Sequence, residues 1–132
     1  MSNTTPPNCE CRTSLKTINF SYLNANRSAE AIRELVISRP RDVIYFVSEV
    51  ALNDHVPVLI PGFYSIYDET NPTLNQIRTC AYFKESAADC LESFHSTPDI
   101  VTIKLIDNWT ITGCYIDPDS PIPASLLTPI SD

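Results

Sequence analysis

Two side chains able to hold a cation stand at matching places in the run FSYLNANRSAEAIRELVISRPRDVIYFVSEV, residues 20–50. Asn24 closes one apolar segment and Glu49 closes the next. Carbonyl and carboxylate oxygens are the donors a hard divalent cation prefers. Each residue also has an ordinary role open to it. Asn24, placed between a strand and a helix, suits a turn or a cap, and Glu49 at a strand end suits solvent. His55 and His95 fall in polar loop stretches and read as surface residues. Cys9-x-Cys11 could form half of a zinc site, but no second Cys/His pair at finger spacing accompanies it.

The elements that would position Asn24 and Glu49 follow from the pattern around them. LKTINFSYL (15–23) alternates Ile18, Phe20 and Tyr22 against Thr17, Asn19 and Ser21, the period of a strand. SAEAIRELVIS (28–38) carries Ile32, Leu35 and Val36 on one face, with Ser28 as N-cap and Glu30 in the first turn; this predicts a helix. Pro40 stops it, because the residue before a proline avoids helical angles. DVIYFVSEV (42–50) is apolar on both faces and reads as a buried central strand. Beyond a Pro- and Asp-rich loop, FYSIYDE (63–69) and RTCAYFKES (78–86) read as strands, with NPTLNQ (71–76) as a turn between them. SAADCLESF (86–94) reads as one or two helical turns. DIVTIKLID (99–107) and WTITGCYID (109–117) form a hairpin pattern with Asp107-Asn108 at the turn.

The chain has 132 residues and is 43% hydrophobic, enough for one domain with a core. Residues 1–14 read as a disordered arm and 119–132 as a Pro-rich tail without period, leaving the domain at 15–118. The formal net charge is −7 and no basic cluster appears, a poor footprint for autonomous nucleic-acid binding. No run is apolar enough for a membrane span, and MSNTTPPNCECRTS has no signal-like apolar region. Five cysteines, an odd number, predict reduced thiols and an intracellular protein, cytoplasmic or nuclear. The three N-x-[ST] sequons at Asn3, Asn26 and Asn108 are then chance matches. One principal helix and about six strands in mainly antiparallel order predict an α+β fold with one apolar sheet face uncovered.

The ordered series INFSYLNANRSAEAI, DVIYFVSEV, PGFYSIY, RTCAYFKES, DIVTIKLID and WTITGCYIDP resembles the endonuclease/exonuclease/phosphatase superfamily. It is most similar to the N-terminal half of the apurinic-type endonuclease domain of non-LTR retrotransposons. LNANRS is similar to that group's N-x-N-R-S start, and GCYIDP to its Y-x-P-P-like strand end. The resemblance implies half of a four-layer αββα sandwich. It places Asn24 at the metal- and phosphate-binding Asn, Glu49 at the acidic metal ligand and Tyr115 at the Tyr that contacts the scissile phosphate, with magnesium as the cofactor of an active member. A phenol can donate to a phosphate oxygen as charge builds on it; Tyr115 also suits a core position on its apolar strand.

The chain departs from the family where cleavage would need it most. SEV stands where the family has QEP, and no Asp-x-Asn or Ser-Asp-His string follows Tyr115. A phosphodiester hydrolase must activate water opposite its leaving group, and the groups that would do so lie in the family's second half. The first expectation is therefore a catalytically incomplete half-domain that acts by binding, as a homodimer joined through the uncovered sheet face. The competing expectations are a magnesium-dependent endonuclease completed by a second half or partner chain, and a small effector that binds a protein through a sheet edge or its Pro-rich tail.

Overall fold

The computed structural model describes residues 18–70 and 77–116. The expected arm, the 71–76 turn and the Pro-rich tail lie outside them. The chain opens with strand β1, Phe20–Asn24, and helix α1, Ala29–Ser38. As its sequence predicts, α1 is capped by Ser28, whose hydroxyl accepts from the Ala31 N–H at 3.1 Å. It ends at Arg39, whose N–H reaches back to the Leu35 carbonyl just before Pro40. Strand β2, Ile44–Ser48, is buried along its whole length and pairs parallel with β1, so β1, α1 and β2 make one βαβ unit. The other strand pairs among the described residues are antiparallel.

Where a plain loop was expected, Leu52–Asn53 (β3) and Val56–Pro57 (β4) close a two-residue ladder. Asp54 and His55 turn it with φ of 56° and 72°. Positive φ at both central residues is what lets a tight turn match the twist of its strands, but Asp-His is not the Asn-Gly pair that announces such a turn in a sequence. Strands β5, Phe63–Ile66, and β6, Thr79–Lys84, complete a four-stranded sheet in the order β1-β2-β6-β5.

The single sheet of about six strands expected from the sequence divides at this point. A 3-10 segment, Glu85–Cys90, breaks its own helical geometry at Ala87 (φ −108°, ψ 16°) and buries Ala87 and Cys90 between layers. This step lifts the chain from one layer to the next. The following residues form β7, Leu91–Ser96, not the second helical turn that SAADCLESF suggests. With β8, Ile100–Leu105, and β9, Thr110–Cys114, they build a separate antiparallel sheet. The β8–β9 turn falls at Asp107-Asn108 as predicted, with Asn108 at φ 68°.

Alternation along the central strands then explains both packing layers. Tyr45, Val47, Cys80 and Tyr82 face α1, where Ile32 is fully buried against them. Ile44, Phe46, Ala81 and Phe83 face the other way, onto Val101, Ile103 and Leu105 of β8. Fully burying each of those aliphatic side chains stabilises by about 1.5–3 kcal/mol. The apolar flank expected to join a homodimer is thus covered over β2 and β6 by the chain's own β7-β8-β9 sheet, and of that face Phe20 and Tyr22 on β1 remain exposed. Light scattering on the purified chain is expected to return the monomer mass of 14.8 kDa at micromolar concentration; a stable dimer would show that another surface associates.

Among the described residues, no helix is long and apolar enough to cross a membrane. The expectation of uniformly reduced thiols fails at Cys90, which is disulfide-bonded, while Cys80 and Cys114 are free. Disulfides persist in oxidising compartments, so the thiol pattern does not carry an intracellular location.

Candidate functional site

Parallel pairing of β1 with β2 brings their C-terminal ends together, with Asn24 opposite Ser48 and Glu49 one residue beyond. Strand β6 runs the other way, so its start, at Arg78 and Thr79, arrives at the same end. The β8–β9 hairpin lies over this sheet and contributes Asp99, at its beginning, and Tyr115, at its close, where the Tyr115 N–H donates to the Asp99 carbonyl at 2.8 Å. The fold therefore brings Asn24, Glu49 and Tyr115 to one end of the two stacked sheets.

The ordinary roles are partly filled. The Asn24 Oδ1 accepts from the Asn26 N–H at 3.0 Å, an Asx turn at the strand exit, and the residue is exposed. Glu49 is half-buried, with its N–H donating to the Arg78 carbonyl at 2.6 Å and its own carbonyl accepting from the Arg27 N–H at 2.7 Å. Tyr115 is half-buried as well, and its ring lies 5.8 Å from the Arg78 guanidinium carbon, a cation–π distance.

Arg78 joins these pieces. Its guanidinium meets the Asp99 carboxylate through two nitrogens, Nε to Oδ1 and Nη2 to Oδ2, the latter at 3.0 Å. The planar fork of arginine matches a carboxylate in this way. Thr79 holds the Asp99 carbonyl at 2.8 Å, and Ser48 accepts from the Tyr22 hydroxyl at 2.5 Å while donating to the Cys114 carbonyl at 3.2 Å. Arg27 braces the two loops below, its Nη1 donating to the Val50 carbonyl at 2.9 Å and the Ile77 carbonyl at 3.0 Å.

Arg78, Asp99, Ser48 and Arg27 were not singled out by the sequence. A signal was present for two of them: Arg78 and Asp99 each open an apolar run, and in antiparallel order the start of one strand meets the end of another.

The backbone is strained at this end. Asn26, Arg27 and Glu49 take φ of 50°, 64° and 47°, a left-handed conformation that costs an L-residue about 1–2 kcal/mol. Such residues persist where surrounding structure over-determines them, and they cluster at functional sites.

The available chemistry is narrow. Glu49 and Asn24 offer one carboxylate and one amide oxygen, whereas a hard divalent cation takes six or more oxygens. Among the described residues, no three His, Cys, Asp or Glu side chains are grouped to hold a metal. His55, in the β3–β4 turn, and His95, on β7, are both exposed. Burial first, and then the Asp99 carboxylate, push the Cys114 thiol above its ordinary range, away from the thiolate form that reacts. Comparison of the chain with protein-family models, with curated proteins and with solved structures gives no match.

Proposed function

We propose that this chain is a binding protein built as a catalytically incomplete phosphodiesterase-type half-domain, related in plan to the N-terminal half of a retrotransposon endonuclease. The observation that carries the reading is the meeting of Asn24, Glu49 and Tyr115 at one strained end of two packed sheets. Glu49 and the exposed amide oxygen of Asn24 would hold a divalent cation weakly, with solvent completing its shell. Tyr115, beside Arg78, would face an anionic oxygen brought by the ligand. Among the described residues, the carboxylates at this end are taken up, Asp99 by Arg78 and Glu49 by the cation, which leaves neither to act as a general base; on this reading a bound phosphodiester is held and not cleaved.

A magnesium-dependent endonuclease completed by a second chain is the other reading. Its support is the left-handed backbone at Asn26, Arg27 and Glu49, a cost that binding alone does not require. Supercoiled-plasmid nicking with magnesium, by the purified chain and by the chain isolated together with its native partners, separates the two. The expected result is no nicking above that of Glu49→Ala. Metal-dependent nicking by the wild-type chain that disappears in Glu49→Ala would replace the first reading by the second.

A further inference from the structure

Strand β9 is an edge of its sheet. Asp99 pairs with Tyr115 and Leu105 with Trp109 through hydrogen bonds, and in an antiparallel ladder such pairs alternate with non-bonded ones. The main-chain N–H and C=O groups of Thr110 and Thr112, and the N–H of Cys114, therefore point away from β8. Among the described residues no strand meets them. None of the usual guards of an edge, a proline or a charged side chain, occurs in Thr110–Cys114.

What lies beneath this edge sets it apart from the other edges. Strand β9 sits over β2: a side-chain carbon at Gly113 would fall 2.3 Å from the Phe46 ring, and the Ser48 hydroxyl reaches the Cys114 carbonyl. Strand β1 extends one strand further out, with Phe20 and Tyr22 on the same face as Ile44 and Phe46. They remain 46% and 53% exposed because nothing in the upper sheet covers them. The result is a step one strand wide, with free backbone groups as its wall and two aromatic side chains as its floor.

We infer that this step binds a single extended peptide segment from another chain, which adds a fourth strand beside β9 and rests alternate apolar side chains on Phe20 and Tyr22. The width of the step selects the occupant. A second copy pairing β9 to β9 about a twofold axis would drive the two projecting β1 strands into the same space, since strands lie only about 4.8 Å apart within a sheet. A lone strand fits. The two-residue spacing of Phe20 and Tyr22 matches the period of a strand, and the net charge of −7 favours a basic one. The inference does not depend on the phosphodiester reading, which concerns a different set of side chains.

Recognition of this kind rests on main-chain hydrogen bonds and tolerates sequence, so a generic probe is a fair test: a short fluorescent peptide alternating Ile and Thr with Lys at each end. Binding is read by anisotropy and the docking edge by amide exchange in NMR. The expected result is saturable binding with slowed exchange at Thr112 and Cys114. Thr112→Pro removes an outward N–H without touching the main-chain ladder to β8, and Phe20→Lys removes part of the floor; each is expected to weaken binding about tenfold or more while still unfolding cooperatively above the assay temperature, with a lowered midpoint because Thr112 also gives up its hydroxyl contact with Thr102 and Phe20 its edge-on contact with Phe46. Absence of binding, or equal binding by Thr112→Pro, would overturn the proposal. So would protection of these amides without peptide. Protection that grows with protein concentration would mean that a second copy is the occupant, and protection already complete at high dilution would mean that the chain covers its own edge.

Discussion

Gly113→Ala is expected to lower the stability of the fold by about 3 kcal/mol, at the upper end of what overpacking a core costs. Gly113 lies on β9 directly above Phe46 of β2, and an added methyl would fall 2.3, 2.6 and 2.8 Å from the Phe46 Cδ1, Cγ and Cβ atoms. The nearest of these could swing aside. The Cβ cannot, because it is fixed to a strand paired on both sides. Phe46 has little room to turn, with Ala81 and Val101 in the same core and the Phe20 ring edge-on at 6.3 Å. The two sheets would have to separate locally. Urea unfolding checks the value, and Gly113→Ala should cost less in a Phe46→Ala background than in the wild type, since that truncation removes the Cγ and Cδ1 atoms the new methyl would meet. A Gly113→Ala protein within 0.5 kcal/mol of wild type would mean that β9 does not pack this closely on β2.

Arg27→Ala is expected to cost about 2 kcal/mol and to loosen the end of the molecule where Asn24 and Glu49 meet. A single nitrogen of Arg27 donates to the carbonyls of Val50 and Ile77, both in buried residues of the loops that follow β2 and precede β6. Hydrogen bonds from a charged donor contribute about 1.5–3 kcal/mol each, but Arg27 is half-exposed, and water reaching the site after truncation offsets much of that sum. Alanine gains nothing from the backbone, because φ at this position is 64°. Equilibrium unfolding gives the stability change. Faster amide exchange at Glu49, whose N–H bonds to Arg78, shows whether the loops have loosened. Stability unchanged in Arg27→Ala would place the restraint on these loops elsewhere.

The sequence was most legible where one local signal had one outcome. Ser28, the 3.6-residue apolar stripe and Pro40 bounded α1, and the run apolar on both faces at 42–50 marked the strand with neighbours on each side. The division into two sheets was not legible. The alternation of β8 is identical whether its buried face meets a helix, a second copy or the other sheet, so Val101, Ile103 and Leu105 reveal burial but not the partner. The chain passes between the layers through Glu85–Cys90, where the backbone leaves helical angles at Ala87, and an alanine there carries no local signal of the break. The candidate site was half legible. Asn24 and Glu49 could be placed by strand ends alone, whereas Arg78 and Asp99 gain meaning only when a fold sets strand starts against strand ends.

The place of β6 between β2 and β5 governs how the chain reaches this fold. The β7-β8-β9 meander and the β1-α1-β2 unit each close over short stretches of chain. Pairing of β6 with β2 must close a loop over residues 49–78, in which β3, β4 and β5 lie, before Phe83 can lie beside Ile44. Closing that loop costs entropy before any contact rewards it. The slow step of folding is therefore expected to be the docking of the β5–β6 pair onto β2, and stopped-flow refolding should slow when Phe83 is truncated to alanine. Until it occurs, the side chains that the two sheets bury against each other, Phe46 and Val101 among them, would stand open to other molecules.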